Sequence, residues 1–159
     1  MFFFSLLINQ PLKAQEKPVD SFEYYSTKYD KSEYRLKALK YFFSHKDKVS
    51  LVRKIDALIM VAQIQNKLGV VSDSESSAIE ALKLVEKLRN RDTISRKKLS
   101  IYNHLGKMYR EHEDYNKALS NYNIAITLTD SLKYLTTIWN NIGHVYFHKD
   151  DYKTAIPYY

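Results

Sequence analysis

His144 and His148 stand four residues apart, a spacing that sets two imidazoles on one face of a helix, as zinc ligands require. Neither has the company that would make a metal site. No glutamate lies between them in the H-E-x-x-H manner, and no acidic residue or third histidine follows in the required pattern. The pair reads as a surface or groove pair, with no metal expected. His104 and His112 have no partner legible in the sequence. Glu111, Glu113 and Asp114 gather at the end of a helix, where a solvated turn with an N-cap carboxylate explains them. No serine has the flanking glycines of a nucleophile elbow. Three scattered glycines cannot build a phosphate-cradling loop. The absence of cysteine excludes thiolate nucleophiles, disulfides and Cys-ligated zinc. An enzyme is therefore not expected, nor a cofactor or a small-molecule substrate. What remains is binding, and binding depends on the elements that present the side chains.

Fourteen tyrosines against three glycines and three prolines point to long helices with few tight turns. Apolar residues recur at helical spacing from about residue 20 onward, which predicts helices near 20–44, 49–68, 73–90, 93–112, 115–129, 132–149 and 152–159. Gly69 falls where the second of these should stop. Ser72-Asp73-Ser74-Glu75 has capping-box spacing, and Asp92, Asp114, Asp130 and Asp151 stand at expected N-caps. No segment alternates as a strand does, so the class is all-α. The net charge of +7 is spread along the chain rather than gathered in a stripe. Its densest part, Arg89 to Arg91 and then Arg96-Lys97-Lys98, reads as a solvated surface between helices, and no nucleic-acid partner is expected.

Residues 1–15, MFFFSLLINQPLKAQ, hold an apolar run from Phe2 to Ile8 broken by Ser5, and then the small residue Ala14. This is the core and cleavage region of a secretory signal peptide, lacking the basic start. The run is too short to span a bilayer. Cleavage is expected after Ala14 or Gln15.

The clearest signal is an internal repeat. At an offset of 37 residues, Tyr102-Asn103-x-Leu105-Gly106-x-x-Tyr109 meets Trp139-Asn140-x-Ile142-Gly143-x-x-Tyr146. The same offset brings Asp114-Tyr115-x-x-Ala118-x-x-x-Tyr122 onto Asp151-Tyr152-x-x-Ala155-x-x-x-Tyr159. In each copy the first half forms one apolar helical face around a glycine. Mid-helix glycine costs about 1 kcal/mol relative to alanine, which is tolerated where another helix must approach the backbone. Ala118, Tyr122 and Ala125 form the facing stripe of a second helix. Two such helices cannot bury both faces alone, so copies stack.

These residues resemble the tetratricopeptide repeat, whose pattern of aromatic, Leu-Gly and Tyr, then Ala, aromatic and Ala, is matched at Tyr102, Leu105, Gly106, Tyr109, Ala118, Tyr122 and Ala125. The second copy matches at Trp139, Ile142, Gly143, Tyr146, Ala155 and Tyr159. The period is longer than the usual 34 residues, Asp130 replaces a frequent proline, and Pro157 interrupts the last helix. Upstream the pattern decays. Ala57 to Leu68 reads as a first helix with Ala62 in the glycine's place, Ala78, Leu82 and Val85 as its second helix, and Ala38 with Phe42 as an older second helix. The resulting organisation is a signal at 1–15, a degenerate helical region at 16–47, a degenerate hairpin at 48–91, a full repeat at 92–130 and a truncated one at 131–159. The resemblance implies antiparallel helix hairpins stacked into a right-handed solenoid.

It also implies a site. Asn103, Lys107 and Arg110 form a second line on the first helix, and Asn140, His144 and Phe147 occupy the equivalent line of the next copy. In tetratricopeptide proteins that line faces a groove holding a peptide or protein segment, and asparagine can bond both N–H and C=O of an extended chain. The lysine- and asparagine-rich clamp for C-terminal carboxylates is not reproduced. An exported start followed by such repeats is similar to the sensor portion of bacterial membrane signalling proteins, with membrane attachment only through a segment downstream. An envelope assembly scaffold and a cytoplasmic peptide-responsive regulator are the alternatives. The expected location is exported, periplasmic or membrane-associated. Because the chain stops at Tyr159 inside a second helix, the native protein is expected to continue.

Overall fold

In the computed structural model, residues 37, 40–42, 44–45 and 49–159 are described. The chain divides into two compact units, Met1–Val49 and Ser50–Tyr159. In the first unit the described residues are helical between 37 and 45, and the Tyr41 and His45 rings stack at 4.2 Å. The expected signal at 1–15 and most of the helix expected at 20–44 lie outside the described residues.

The second unit is built of hairpins. Helices α1 (Leu51–Lys67) and α2 (Val71–Val85) form the first, α3 (Arg91–Glu111) and α4 (Tyr115–Ile126) the second. The third pairs α5 (Leu132–His148) with the short α6 (Tyr152–Ala155), which continues as a 3-10 turn at Ile156–Tyr158. Pro157 sits in that turn's first positions. A proline lacks the N–H an α-helix needs, so the expected helix over 152–159 tightens after Ala155 instead of running on. Each hairpin packs on the next through α2 against α3 and α4 against α5, and the first helices α1, α3 and α5 lie side by side. No described residue is in a strand. The described chain is an all-helical, tetratricopeptide-like solenoid.

One turn makes every hairpin. After α1, Gly69 adopts φ +77°; after α3, Glu113 adopts φ 62°; after α5, Asp150 adopts φ 58°. In each, the left-handed residue and its successor return their N–H groups to carbonyls of the helix just ended: Gly69 to Asn66 and Val70 to Gln65, Glu113 to Arg110 and Asp114 to Tyr109, Asp150 to Phe147 and Asp151 to Tyr146. This is the Schellman closure, for which glycine is the unstrained residue. Glu113 and Asp150 hold it at a cost of about 1 kcal/mol each. The residue completing the turn also begins the next helix. Asp114 Oδ1 accepts from the Lys117 N–H at 3.2 Å and Asp151 Oδ1 from the Thr154 N–H at 3.1 Å, as expected of N-caps. Bonding to Lys117 and to Thr154 holds these two carboxyls below their ordinary range.

Three expected caps are displaced. The cap of α3 is Asn90, whose Oδ1 accepts from the Thr93 N–H at 2.8 Å, with Asp92 already in the first turn. The helix α5 starts from Ser131 rather than Asp130. The capping box at Ser72–Glu75 does not form, because the turn at Gly69 starts α2 from Val70 and places all four residues inside the helix.

Aligning the three turns fixes the register of the first hairpin. Ala62 takes the place of Gly106 and Gly143, and Ser74 takes the place of Ala118 and Ala155. Ala78 therefore occupies the place of Tyr122, one helical turn later than expected, and Leu82 is only half-buried. The small residue facing α1 is a serine, which the apolar pattern could not show. Its hydroxyl is satisfied by donating to the Ala62 carbonyl at 2.7 Å. A second buried pair, Ser77 Oγ donating to Gln65 Oε1 at 2.7 Å, fills the position that Tyr109 holds in the next hairpin.

Ser74 also ties the first hairpin to the second. His104 on α3 is buried and its Nε2 lies 3.1 Å from Ser74 Oγ. Since that hydroxyl's proton goes to Ala62, His104 donates to it, which requires a proton on Nε2. Burial, opposed by Glu111 and reinforced by Lys107, lowers the His104 pKa to about 4. An unfolded histidine titrates near 6.5, so the unfolded chain takes up the proton first as pH falls. The stabilisation is complete above pH ~6.5 and is lost progressively between ~6.5 and ~4, by about 3 kcal/mol in all. Urea unfolding across this window should give a shallower slope for His104→Gln than for the parent chain; parallel curves would show that His104 is not held neutral.

Candidate peptide-binding surface

The expected groove residues lie on α3 and α5, and the two helices treat them differently. On α3, Asn103 Oδ1 accepts from Asn141 Nδ2 at 3.2 Å, and Arg110 Nη1 donates to Asn141 Oδ1 at 3.4 Å. Lys107 and Arg110 both approach Glu111, at 3.8 and 4.0 Å. Glu111 in turn accepts from Asn66 Nδ2 at 2.7 Å, and His112 Nε2 lies 3.2 Å from Asn66 Oδ1. These bonds join α1, α3 and α5 in one polar ladder along the C-terminal halves of the first helices. The ladder supplies His112 with the partner its sequence did not reveal, and Asn141 as a bridging residue that the repeat pattern passed over. Asn141 corresponds to His104, so no repeated identity marked it.

On α5, Asn140, His144 and Phe147 are all exposed. Asn140 makes no hydrogen bond among the described residues. His144 meets the Tyr159 ring edge-on at 5.6 Å, and Phe147 meets Tyr152 at 5.3 Å. Partial burial, then the charges of Arg110 and His148, lowers the His144 pKa. His148 meets the Phe147 ring edge-on at 5.9 Å. No group of three metal-ligating side chains occurs among the described residues. No described helix is long and apolar enough to cross a membrane.

Beyond the ladder, towards the N-terminal ends of α3 and α5, the two helices part to leave an open pocket of about 210 Å³. Arg96, Leu99, Ser100 and Asn103 line it from α3, and Tyr134, Thr137 and Ile138 from α5. Leu99 and Ile138 are buried, whereas Arg96, Ser100, Tyr134 and Thr137 are exposed. The pocket thus has an apolar floor under a polar rim, the composition that holds a ligand by burial and orients it by hydrogen bonds. Asn103 is the one expected groove residue that reaches it. The sequence offered a partial sign of the others, since Ser100 and Thr137 are equivalent in the 37-residue repeat, but not of the gap between the helices.

The tetratricopeptide repeat family profile matches residues 136–159. No curated protein matches the chain. Among solved structures it is similar to BtubC (BKLC) from P. vanneervenii, with a TM-score of 0.55 and 19% identity over 92% of this chain and 54% of that one. The chain thus spans about half the length of that protein, and at this identity the likeness speaks for the fold alone. Tetratricopeptide repeats generally mediate protein–protein interaction. Stacked hairpins and repeated residues, with these matches, support a tetratricopeptide-like helical repeat fold, and the matched repeat is of a kind that supports a protein-interaction scaffold.

Proposed function

We propose that the face formed by α3 and α5 binds an extended peptide or protein segment, and that the chain is the sensing or interaction region of an exported bacterial signalling protein. The observation that carries the binding half is the open pocket beside Asn103, continuous in sequence position with the exposed line Asn140, His144 and Phe147. His144 Nδ1 lies 3.4 Å from the Tyr159 hydroxyl and Phe147 packs against Tyr152, so of this line Asn140 is the side chain with no hydrogen bond among the described residues, unlike the ladder at Arg110 and Glu111. Asn140 offers an amide with donor and acceptor both free, and Phe147, at 50% exposure, offers an apolar surface. The support for export is the apolar run at 2–8 followed by Ala14. Attachment to a membrane would come through a segment downstream of this one.

Asn140→Ala is the cleaner probe of the groove, because Asn103→Ala also breaks the bond to Asn141. Peptides selected against the chain from a random display library should bind Asn140→Ala about fivefold or more weakly, roughly one lost hydrogen bond, with melting unchanged. Peptides that bind both proteins alike, or that cross-link to α2 and α4 instead, would defeat the assignment. For export, sequencing the mature protein from fractionated bacterial cells should find a chain beginning at Gln15 or Glu16 outside the cytosol. An intact Met1 in the cytosol would contradict it.

A further inference from the structure

Positive charge that is spread along the sequence is gathered by the fold. Because each hairpin reverses the chain through a tight turn, α1, α3 and α5 all begin at one edge of the second unit, beside the ends of α2 and α4. The hairpin turns lie at the opposite edge. Residues 51–58, 79–100 and 121–139, which form the first edge, carry ten Lys and Arg against five Asp and Glu. Residues 59–78, 101–120 and 140–159, which form the turn edge, carry six against seven. On the basic edge Asp56 is spent on Lys97 and Glu86 on Lys98, which leaves Glu80, Asp92 and Asp130 to set against the remaining cations. Lys83, Lys87, Arg89, Arg91 and Lys133 are exposed and form no ion pair among the described residues. Apolar side chains project from the same edge. Leu132, the first residue of α5, is 67% exposed, and Tyr134 beside it and Val52 at the start of α1 are exposed too. Taken singly each is ordinary; among five unpaired cations they make a mixed basic and apolar border.

We propose that this edge docks peripherally on an anionic lipid bilayer, with its lysines and arginines against the headgroups and Leu132, Tyr134 and Val52 at the boundary with the acyl chains. Clustered cations are attracted to such a surface, and apolar side chains entering the interface add burial that charge alone does not supply. Tyrosine suits that depth, since its ring is apolar and its hydroxyl polar. A nucleic acid would match the cations equally well but would leave Leu132 and Val52 in water, because phosphate contacts need no apolar partner. Docking at this edge needs no peptide on the α3–α5 face, although Arg96 and Tyr134 border both.

The test is cosedimentation of the full chain with vesicles of phosphatidylcholine alone or with phosphatidylglycerol added, at low and at high salt. The anionic vesicles should bind about tenfold or more tightly than the neutral ones, by a margin that shrinks as salt rises. Arg89→Gln combined with Arg91→Gln should weaken that binding about tenfold or more, at about fivefold for each charge near a lipid surface. Leu132→Ser should weaken it severalfold, and the melting temperature should hold in both variants, because these side chains are exposed. Lys149→Gln combined with Lys153→Gln removes the same charge from the turn edge and should leave binding unchanged. The apolar run at 2–8 is present in every variant and is drawn to neutral and anionic vesicles alike, so it does not imitate these differences. Equal binding to the two kinds of vesicle, or equal loss in the two double variants, would overturn the assignment. A DNA duplex held more tightly than the anionic vesicles, with Leu132→Ser without effect, would give the edge to nucleic acid instead.

Discussion

The Tyr122 ring lies so close to the backbone of Gly106 that a methyl group on that glycine would sit 2.5 Å from Cε1 and 2.6 Å from Cδ1. The second hairpin depends on this contact. It brings α4 onto α3 at a distance that only a glycine permits, and it seals Tyr122 completely from solvent. Burial even orphans the hydroxyl: Tyr122 Oη has no hydrogen-bond partner among the described residues, and its pKa is pushed far up. An unsatisfied buried hydroxyl costs about 1–3 kcal/mol, so the ring is retained at this position for its shape. With Ala118 and Ala125 also fully buried on the same stripe, α4 can meet both its own α3 and the following α5. The third hairpin repeats the contact more loosely, with Tyr158 and Tyr159 atoms 3.1 to 3.3 Å from the corresponding point on Gly143.

Close hairpins determine what the first helices can present. With α1, α3 and α5 adjacent, their polar side chains either pair across the seams or face outward. The C-terminal halves pair, through Asn66, Glu111, Arg110 and Asn141, and the exposed ion pairs among them add direction more than stability. Towards the N-terminal ends of α3 and α5 a pocket lies open between them. The long connection between α4 and α5, which lengthens the repeat beyond its usual period, starts α5 at Leu132 and places Tyr134 and Thr137 at the pocket's edge. The open pocket and the structural bonding thus lie at two ends of one surface, and Asn103 belongs to both.

Much of the fold was legible because the residues that make it are chemically extreme. A helix-interior glycine, and an alanine five residues after the left-handed turns at Glu113 and Asp150, have few other reasons to recur, so Gly106, Gly143, Ala118 and Ala155 declared the second and third hairpins directly. The first hairpin was legible only as helices. Its interface uses Ser74, Ser77 and Gln65, polar residues whose burial depends on partners on another helix, and a hydropathy pattern reads them as surface. The same limit hid His104, whose partner stands 30 positions earlier. Turn chemistry was half visible: Gly69 announced its left-handed φ, whereas Glu113 and Asp150 adopt that conformation against their own preference. For the site, repetition marked Asn103 and Asn140 but could not reveal that Asn141 holds one of them, or that of three successive cations Lys97 and Lys98 meet acids while Arg96 meets none among the described residues.

The central claim is that intimate glycine–tyrosine contact sets the spacing of the hairpins, and substitution of the two glycines by alanine measures it most directly. Both changes carry the same gain in helix propensity, about 1 kcal/mol. At Gly106 the added methyl must displace a sealed ring, an overpacking that costs about 1–3 kcal/mol. At Gly143 the methyl meets Tyr158 Cβ and the Tyr159 ring at 3.1 to 3.3 Å, a milder crowding, and Tyr159 is 65% exposed. Chemical denaturation should therefore find Gly106→Ala less stable than the parent chain by up to roughly 2 kcal/mol, after the propensity gain is set against the clash. Gly143→Ala should be unchanged or slightly more stable. If Gly106→Ala is as stable as Gly143→Ala, the contact between Gly106 and Tyr122 does not govern the fold.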